Sequence, residues 1–168
     1  IVAPDYPLAK AAERILVGKC LNAGQTCIAP DYVLVPAGSE DAFVAAARAV
    51  VAGCYPDIAV TPDYSSVVND RHFVRLQGYL DEAQALGARI MPLTDVPGDA
   101  TTRRFPPVVV LGADEAMRVM QDEIFGPILP VLPYADLDAA IGFVNARPRP
   151  LALYVFDNDR TRVAQILD

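Results

Sequence analysis

The 168-residue sequence predicts an α/β fold, a parallel-sheet three-layer sandwich in which helices cover both faces of a β-sheet. Short β-branched runs alternate with longer segments that carry apolar residues at helical spacing, and this alternation is typical of parallel sheets. Hydrophobic residues make up 53% of the chain, which is enough for a substantial buried core. The length fits one domain, because domains commonly contain ~100–150 residues.

The first predicted elements lie on either side of a sharp turn. Residues 1–3 have the character of a strand end. Residues 5–22 predict a helix, with Asp5 as the candidate N-cap and Pro7 in the first turn. After the turn, the β-branched run 32–35 predicts a short strand.

The middle of the chain is predicted to hold two helices, one strand and two loops. Ser39 is the candidate N-cap of a helix over 40–52, because acidic residues follow it in the first turn. Apolar residues at helical spacing predict an amphipathic helix over 70–87, and a strand follows over 88–91. Segments rich in Pro, Gly and polar residues predict loops over 53–64 and 92–104.

The last third of the chain continues the alternation of strands and helices. Apolar runs predict strands over 107–111, 128–132 and 151–156. Helices are predicted over 115–121, over 137–146 and from 159 onward. Neither internal repeats nor low-complexity segments interrupt this pattern.

Charge and composition exclude several classes of protein. The net charge of −7 argues against nucleic-acid binding, because phosphate groups require a positive protein surface. No apolar run approaches the ~18 residues of a membrane span, and no signal-peptide pattern is found. The three cysteines are odd in number and lack CxxC spacing, which predicts reduced thiols and a cytoplasmic location. Since His72 is the single histidine, no metal site is predicted.

The stretch 21–32 places Cys27 at the tip of the first loop. Gly24 allows the chain to turn sharply between the preceding helix and the following strand. A cysteine at such a turn can present its sulfur to a ligand while rigid elements fix its position. The alternative is a small buried hydrophobic residue, as most free cysteines are, and the local pattern alone favours this alternative.

Two motifs change that balance. Residues 22–27 read Asn-Ala-Gly-Gln-Thr-Cys, and residues 120–127 read Met-Gln-Asp-Glu-Ile-Phe-Gly-Pro. The first resembles the nucleophile motif of the aldehyde dehydrogenase superfamily, and the second resembles its Glu-x-Phe-Gly-Pro cofactor motif. Both stand in the family's order and at a family-like separation.

The resemblance implies a set of roles. Cys27 would be the catalytic nucleophile, forming a thiohemiacetal and then a thioester while an aldehyde is oxidised to a carboxylic acid, and its backbone N–H would bind the oxyanion. Glu123 would accept hydrogen bonds from the nicotinamide ribose of NAD or NADP, and Phe125 would pack beside the nicotinamide ring. We therefore expect Cys27 and Glu123 to converge at one edge of the sheet.

A finer resemblance is to the class 3-like group that includes the coniferyl aldehyde dehydrogenases, which implies an aromatic aldehyde as substrate. It rests on residues 27–32, 75–80 and 145–154, and it extends over essentially the whole chain. It also implies that residues 1–168 form the nucleophile-bearing catalytic domain of a homodimeric parent. The NAD(P)-binding domain, the general base and the C-terminal arm would lie outside the chain, so we expect the chain alone to be inactive.

Two other interpretations stay open at the level of sequence. The chain could be a non-catalytic module that binds a partner or oligomerises. It could also be a cysteine hydrolase that pairs Cys27 with His72, although His72 opens a helix with no third orienting group at readable spacing. A structural role for His72 is the preferred interpretation, and Cys20 and Cys54 are expected to have no chemical role.

Overall fold

A computed structural model describes residues 1–167, and its centre is a four-stranded sheet. In chain order the strands are β1 (Val33–Pro36), β2 (Arg89–Pro92), β3 (Val108–Leu111) and β4 (Ile128–Tyr134). Their order across the sheet is β1-β4-β3-β2. Strand β4 runs parallel to both of its neighbours, and β2 runs antiparallel to β3 at the edge.

Six helices pack around this sheet. They are α1 (Leu8–Cys20), α2 (Glu40–Cys54), α3 (Asp70–Ala85), α4 (Arg118–Gln121), α5 (Leu137–Asn145) and α6 (Arg160–Leu167). Each helix predicted from the sequence has a counterpart whose ends differ by a few residues. Within the described chain, every helix is too short or too polar to span a lipid bilayer.

Alternation along the strands produces the three layers. Val33, Val109 and Val131 belong to a core cluster shared with α1 and α2. Their neighbours Val108 and Val110 belong to a second cluster on the other face, shared with α3. Successive strand residues point to opposite faces, so strands buried on both faces read as continuous apolar runs. The predicted fold class is confirmed.

Strand β2 is the exception to the parallel arrangement of the sheet. The chain leaves β2, crosses the Pro- and Gly-rich segment 93–107 without a helix, and returns as β3 in the opposite direction. Parallel neighbours need a crossover connection, usually helical, whereas antiparallel neighbours do not. The loop predicted over 92–104 is therefore the connection that reverses the chain.

Two further predictions are corrected. Residues 151–156 do not form a strand, since Phe156 alone pairs with Val2 through an isolated bridge. Asp5 does not cap α1. The N-cap residue is Pro7, whose backbone angles are not helical, and the helix begins at Leu8. Proline disfavours helical angles in the residue before it, which delays the start of the helix.

Candidate active site

The turn after α1 consists of three consecutive residues in the left-handed region. Asn22, Ala23 and Gly24 have φ values of 50°, 52° and 74°. A Cβ atom on Gly24 would collide with the backbone carbonyl of Gly126, so this position requires glycine on both conformational and steric grounds. The two sequence motifs therefore touch each other through their glycines.

Gln25 fastens the next part of the loop to the segment that precedes α3. Its side-chain amide donates to the Ser66 carbonyl (3.1 Å) and accepts from the backbone N–H of Val68 (2.8 Å). The same amide also donates to the carbonyl of Asn22 (3.0 Å). No role was predicted for Gln25 from the sequence. Its polar side chain stands in a motif that has no value as a packing segment, and this could have indicated a role.

Cys27 lies at the surface of a cavity of about 240 Å³. One wall is the Cys27 loop and the start of β1, residues 27–34, and a second is the segment 150–154. Glu123 lines the same cavity. The structure thus brings Cys27 and Glu123 to one cavity, as expected from the sequence, and they precede strands β1 and β4 respectively.

Backbone interactions hold the loop on both sides of the sulfur. The N–H of Ala29 donates to the carbonyl of Thr26 (3.1 Å), which closes a turn around Cys27. The hydroxyl of Tyr154 donates to the carbonyl of Ile28 (3.0 Å). Within residues 1–167 the backbone N–H of Cys27 donates to no protein group, so it is free to bind an oxyanion.

Glu123 stands in the connection between α4 and β4. Its residue is exposed, and its carboxylate makes neither a hydrogen bond nor an ion pair within the described part of the chain. Phe125, two residues on, is 40% exposed and has a φ of 48°, but its side chain does not line the cavity. The structure therefore places Glu123 at the cavity that Cys27 also lines, whereas Phe125 lies outside the lining of that cavity.

Asp31 connects the Cys27 loop to the Glu123 segment. One of its carboxylate oxygens accepts from the backbone N–H of Ile124 (3.4 Å), and the other lies 3.6 Å from Nζ of Lys19. Lys19 is 1% exposed, and this burial lowers its pKa to about 8, against the opposing effect of the nearby carboxylate. Sequence spacing could not identify this contact, because Asp31 and Ile124 are 93 residues apart.

The other titratable candidates stand away from the cavity. His72 does not line it, and its Nδ1 accepts from Nε of Arg75 (3.3 Å). Cys20 is buried at the end of α1, where burial raises its pKa to about 12. Cys54 is exposed at the end of α2. These positions give no support to a hydrolase that pairs Cys27 with His72.

The cavity is small for a whole dinucleotide. Its volume is below the ~300–1,000 Å³ typical of pockets for drug-sized ligands. A free carboxylate at its rim suits a diol, because one carboxylate can accept from two hydroxyls. Among residues 1–167, no group of three or more potential metal ligands is assembled.

The whole chain is similar to one known family. A sequence model described as "Aldehyde dehydrogenase family" matches residues 1–168. A protein of Pseudomonas aeruginosa named "Probable coniferyl aldehyde dehydrogenase" is 48% identical over 167 residues, covering 99% of this chain and 34% of that protein. This chain therefore spans about a third of the length of that relative.

Two solved structures share the fold. The substrate-bound state of Staphylococcus aureus AldH has a TM-score of 0.90 and 37% identity, covering 99% of this chain and 35% of that one. A Mycobacterium tuberculosis aldehyde dehydrogenase complexed with NAD+ has a TM-score of 0.84 and 27% identity, covering 99% and 35% respectively. Both matches extend over nearly the whole chain, so the fold is shared from end to end.

Proposed function

Since the chain belongs to the aldehyde dehydrogenase family, we propose that residues 1–168 are the nucleophile-bearing catalytic domain of an NAD(P)-dependent aldehyde dehydrogenase. The observation that carries this proposal is that Cys27 and the unpaired carboxylate of Glu123 line one cavity. A nucleophile and a diol acceptor at the same cavity are the two groups that this reaction needs from this part of the molecule.

Cys27 carries out the first chemical step. Its thiolate attacks the aldehyde carbon, a C–S bond forms, and the carbonyl oxygen becomes an oxyanion. The free backbone N–H of Cys27 binds that oxyanion, and one such donor typically stabilises the transition state by ~3–4 kcal/mol. Sulfur suits this role because a thiolate is strongly nucleophilic near neutral pH.

Glu123 and Phe125 position the cofactor. When bound, NAD(P)+ accepts the hydride that leaves the thiohemiacetal carbon as the carbonyl re-forms. The Glu123 carboxylate accepts hydrogen bonds from the two hydroxyls of the nicotinamide ribose. Phe125 does not line the cavity, but its side chain is 40% exposed two residues after Glu123, so it would contact the part of the nicotinamide that extends beyond the cavity and limit its position.

Water completes the reaction. Loss of hydride leaves an acyl group on Cys27 as a thioester, and water adds to its carbonyl carbon. The C–S bond then breaks, which releases the carboxylic acid and restores the thiol. One aldehyde, one NAD(P)+ and one water are consumed, and one acid, one NAD(P)H and one proton are produced. The base for the water step comes from outside this chain, as the sequence resemblance implies.

The proposed substrate is an aromatic aldehyde such as coniferyl aldehyde. The relative from Pseudomonas aeruginosa carries that substrate in its name. Apolar side chains contribute much of the cavity lining, and among them are Ile28, Val144, Leu151 and Leu153. A mainly apolar wall with few polar groups suits a flat aromatic ring.

The active protein is proposed to be longer than this chain and homodimeric. The relatives are about three times its length, and the cavity, at about 240 Å³, is small for a whole dinucleotide. The few contacts of Glu123 and Phe125 with the nicotinamide end of the cofactor do not offset the free energy of ~4–15 kcal/mol that association costs in translational and rotational freedom. Without the rest of the dinucleotide site and the general base, this chain alone does not turn over.

The test compares NAD(P)H formation from an aromatic aldehyde by this chain and by the full-length protein. We expect activity in the full-length protein alone, with kcat lowered ~10⁴-fold or more by Cys27→Ala. Cys54→Ala is the matched control, because Cys54 is also exposed, and it should leave kcat unchanged.

Four outcomes would contradict the proposal. Equal turnover by this chain would show that the parts of the enzyme lie elsewhere than proposed. Undiminished activity of Cys27→Ala would show that Cys27 is not the nucleophile. A full-length protein that binds partners but oxidises no aldehyde would favour the non-catalytic module, and thioester hydrolysis without NAD(P) reduction would favour a hydrolase.

A further inference from the structure

We infer that Arg75 is a positioning residue for Glu123, holding the backbone of the cofactor-binding segment so that its carboxylate faces the cavity. The inference rests on the proposed function, because it assigns Arg75 a role that acts through Glu123. Arg75 lies in α3 and does not line the cavity itself. Its effect on the site must therefore be transmitted through the segment that it contacts.

The guanidinium of Arg75 contacts two consecutive peptide carbonyls. Nη2 donates to the carbonyl of Ile124 at 2.7 Å, and Nη1 lies 3.5 Å from the carbonyl of Glu123. Nη1 also donates to the hydroxyl of Tyr79 at 2.8 Å. A planar, always charged fork with several donors suits this arrangement, and the point charge of a lysine does not reproduce it.

Tyr79, which accepts a hydrogen bond from Arg75, contacts Asp122, the residue before Glu123. Its hydroxyl donates to a carboxylate oxygen of Asp122 at 2.8 Å. The guanidinium carbons of Arg75 and Arg118 both lie 5.0 Å from the centre of the Tyr79 ring. Two residues of α3, one helical turn apart, thus hold three consecutive residues of the segment.

The carboxylate of Glu123 depends on this backbone support. It has no partner of its own within the described residues, so its direction follows from the peptide units on either side. On the opposite side of the segment, Asp31 accepts from the N–H of Ile124. Phe125 follows in the left-handed region, which a non-glycine residue adopts at a cost unless surrounding interactions hold it there.

The first test uses hydrogen–deuterium exchange of this 168-residue chain. Arg75→Met should speed amide exchange in residues 122–126 about tenfold, because opening this segment no longer breaks charge-assisted hydrogen bonds. Arg75→Lys should recover part of the protection. Arg71→Met is the matched control, since Arg71 is exposed on the same helix, and it should leave exchange unchanged.

The second test measures the dissociation constant of NAD(P)H for the full-length protein by fluorescence titration. Arg75→Met should weaken binding about tenfold, and Arg75→Lys less. Combined with Glu123→Gln, Arg75→Met should add little, because both changes remove the same interaction. The rate of Cys27 alkylation in the absence of cofactor should stay the same, which a general loss of folding would not allow.

The outcomes separate the two ideas. If Glu123→Gln leaves the dissociation constant unchanged, the role of Glu123 in the proposed function is wrong. If Glu123→Gln weakens binding but the effect of Arg75→Met is fully additive to it, Arg75 does not act through Glu123. Unchanged exchange in residues 122–126 of Arg75→Met would also overturn the inference.

Discussion

The last turn of α1 and the loop that follows it place two cysteines, seven positions apart, in opposite environments. Cys20 is 2% exposed, and its burial raises its pKa to about 12. Cys27 is exposed at a cavity that also contains Glu123. Both thiols belong to the same stretch of chain, so reactivity here is decided by surroundings rather than by residue type.

The three left-handed residues of Asn22–Gly24 separate the two environments. Ala23 and Gly24 are still buried, and the chain reaches the exposed Cys27 three residues after Gly24. Gln25 then fixes the loop to the segment before α3. A turn of left-handed residues and the side-chain amide of Gln25 thus separate the packed end of α1 from the candidate active-site loop.

The largest difference between the two regions should appear in thiol reactivity. At pH 8, a limiting thiol reagent should label Cys20 at least ~10³-fold more slowly than Cys27, because the buried thiol is almost entirely protonated and inaccessible. Mass spectrometry of the labelled peptides measures the rates. In concentrated guanidinium chloride the two rates should become equal.

Cys54 supplies the control for exposure. It is exposed like Cys27 but lies at the end of α2, away from the cavity. We expect Cys27 to be labelled before Cys54. Equal labelling of these two cysteines would mean that exposure alone explains the reactivity of Cys27, and it would count against an activated loop thiol.

Replacing Gly24 should break the turn that separates the regions. In Gly24→Ala the added Cβ would meet the carbonyl of Gly126 at a φ of 74°, so we expect a loss of about 3 kcal/mol or more in the free energy of unfolding. Gly38→Ala is the matched control, because Gly38 has a φ of 87° with open space around it, and should cost about 1 kcal/mol.

Urea unfolding of both glycine variants measures this difference. Equal losses for Gly24→Ala and Gly38→Ala would show that the close approach of Gly24 to Gly126 contributes nothing beyond backbone strain. A loss in Gly24→Ala accompanied by faster labelling of Cys20 would show that the turn also keeps the end of α1 buried.

The smallest expected effect is a pH dependence from Lys19. Its pKa is lowered from 10.5 to about 8 by burial, so between these values the unfolded state binds more protons than the folded state. Stability should therefore rise by about 1 kcal/mol from about pH 8 to about pH 9. Above about pH 9 the raised pKa of Cys20 acts in the opposite direction, because the unfolded thiol ionises first.

Unfolding free energies measured across this range test the sign. Lys19→Met should abolish the rise, whereas Lys10→Met, which changes an exposed lysine of the same helix, should preserve it. A rise of the same size in Lys19→Met would show that another group is responsible.

Much of the fold followed from local pattern. The six helices were predicted near their observed positions, because apolar residues recur at helical spacing whatever their distant partners are. The strands β1, β3 and β4 were predicted for a similar reason, since sheets buried on both faces need continuous apolar runs. Prediction failed for residues 151–156, which, apart from Val155, line the cavity and do not form a strand of the sheet.

Local pattern established the alternation of strands and helices, and two motifs singled out Cys27 and Glu123 as candidates. The folded chain added that these two residues share a cavity, that β2 runs antiparallel, and that Arg75 and Asp31 hold the segment around Glu123. The two groups of features differ in the range of the interactions behind them. The periodicity of apolar residues is a property of neighbouring residues. Hydrogen bonds between residues 48 to 93 positions apart form only once the strands and helices have packed together.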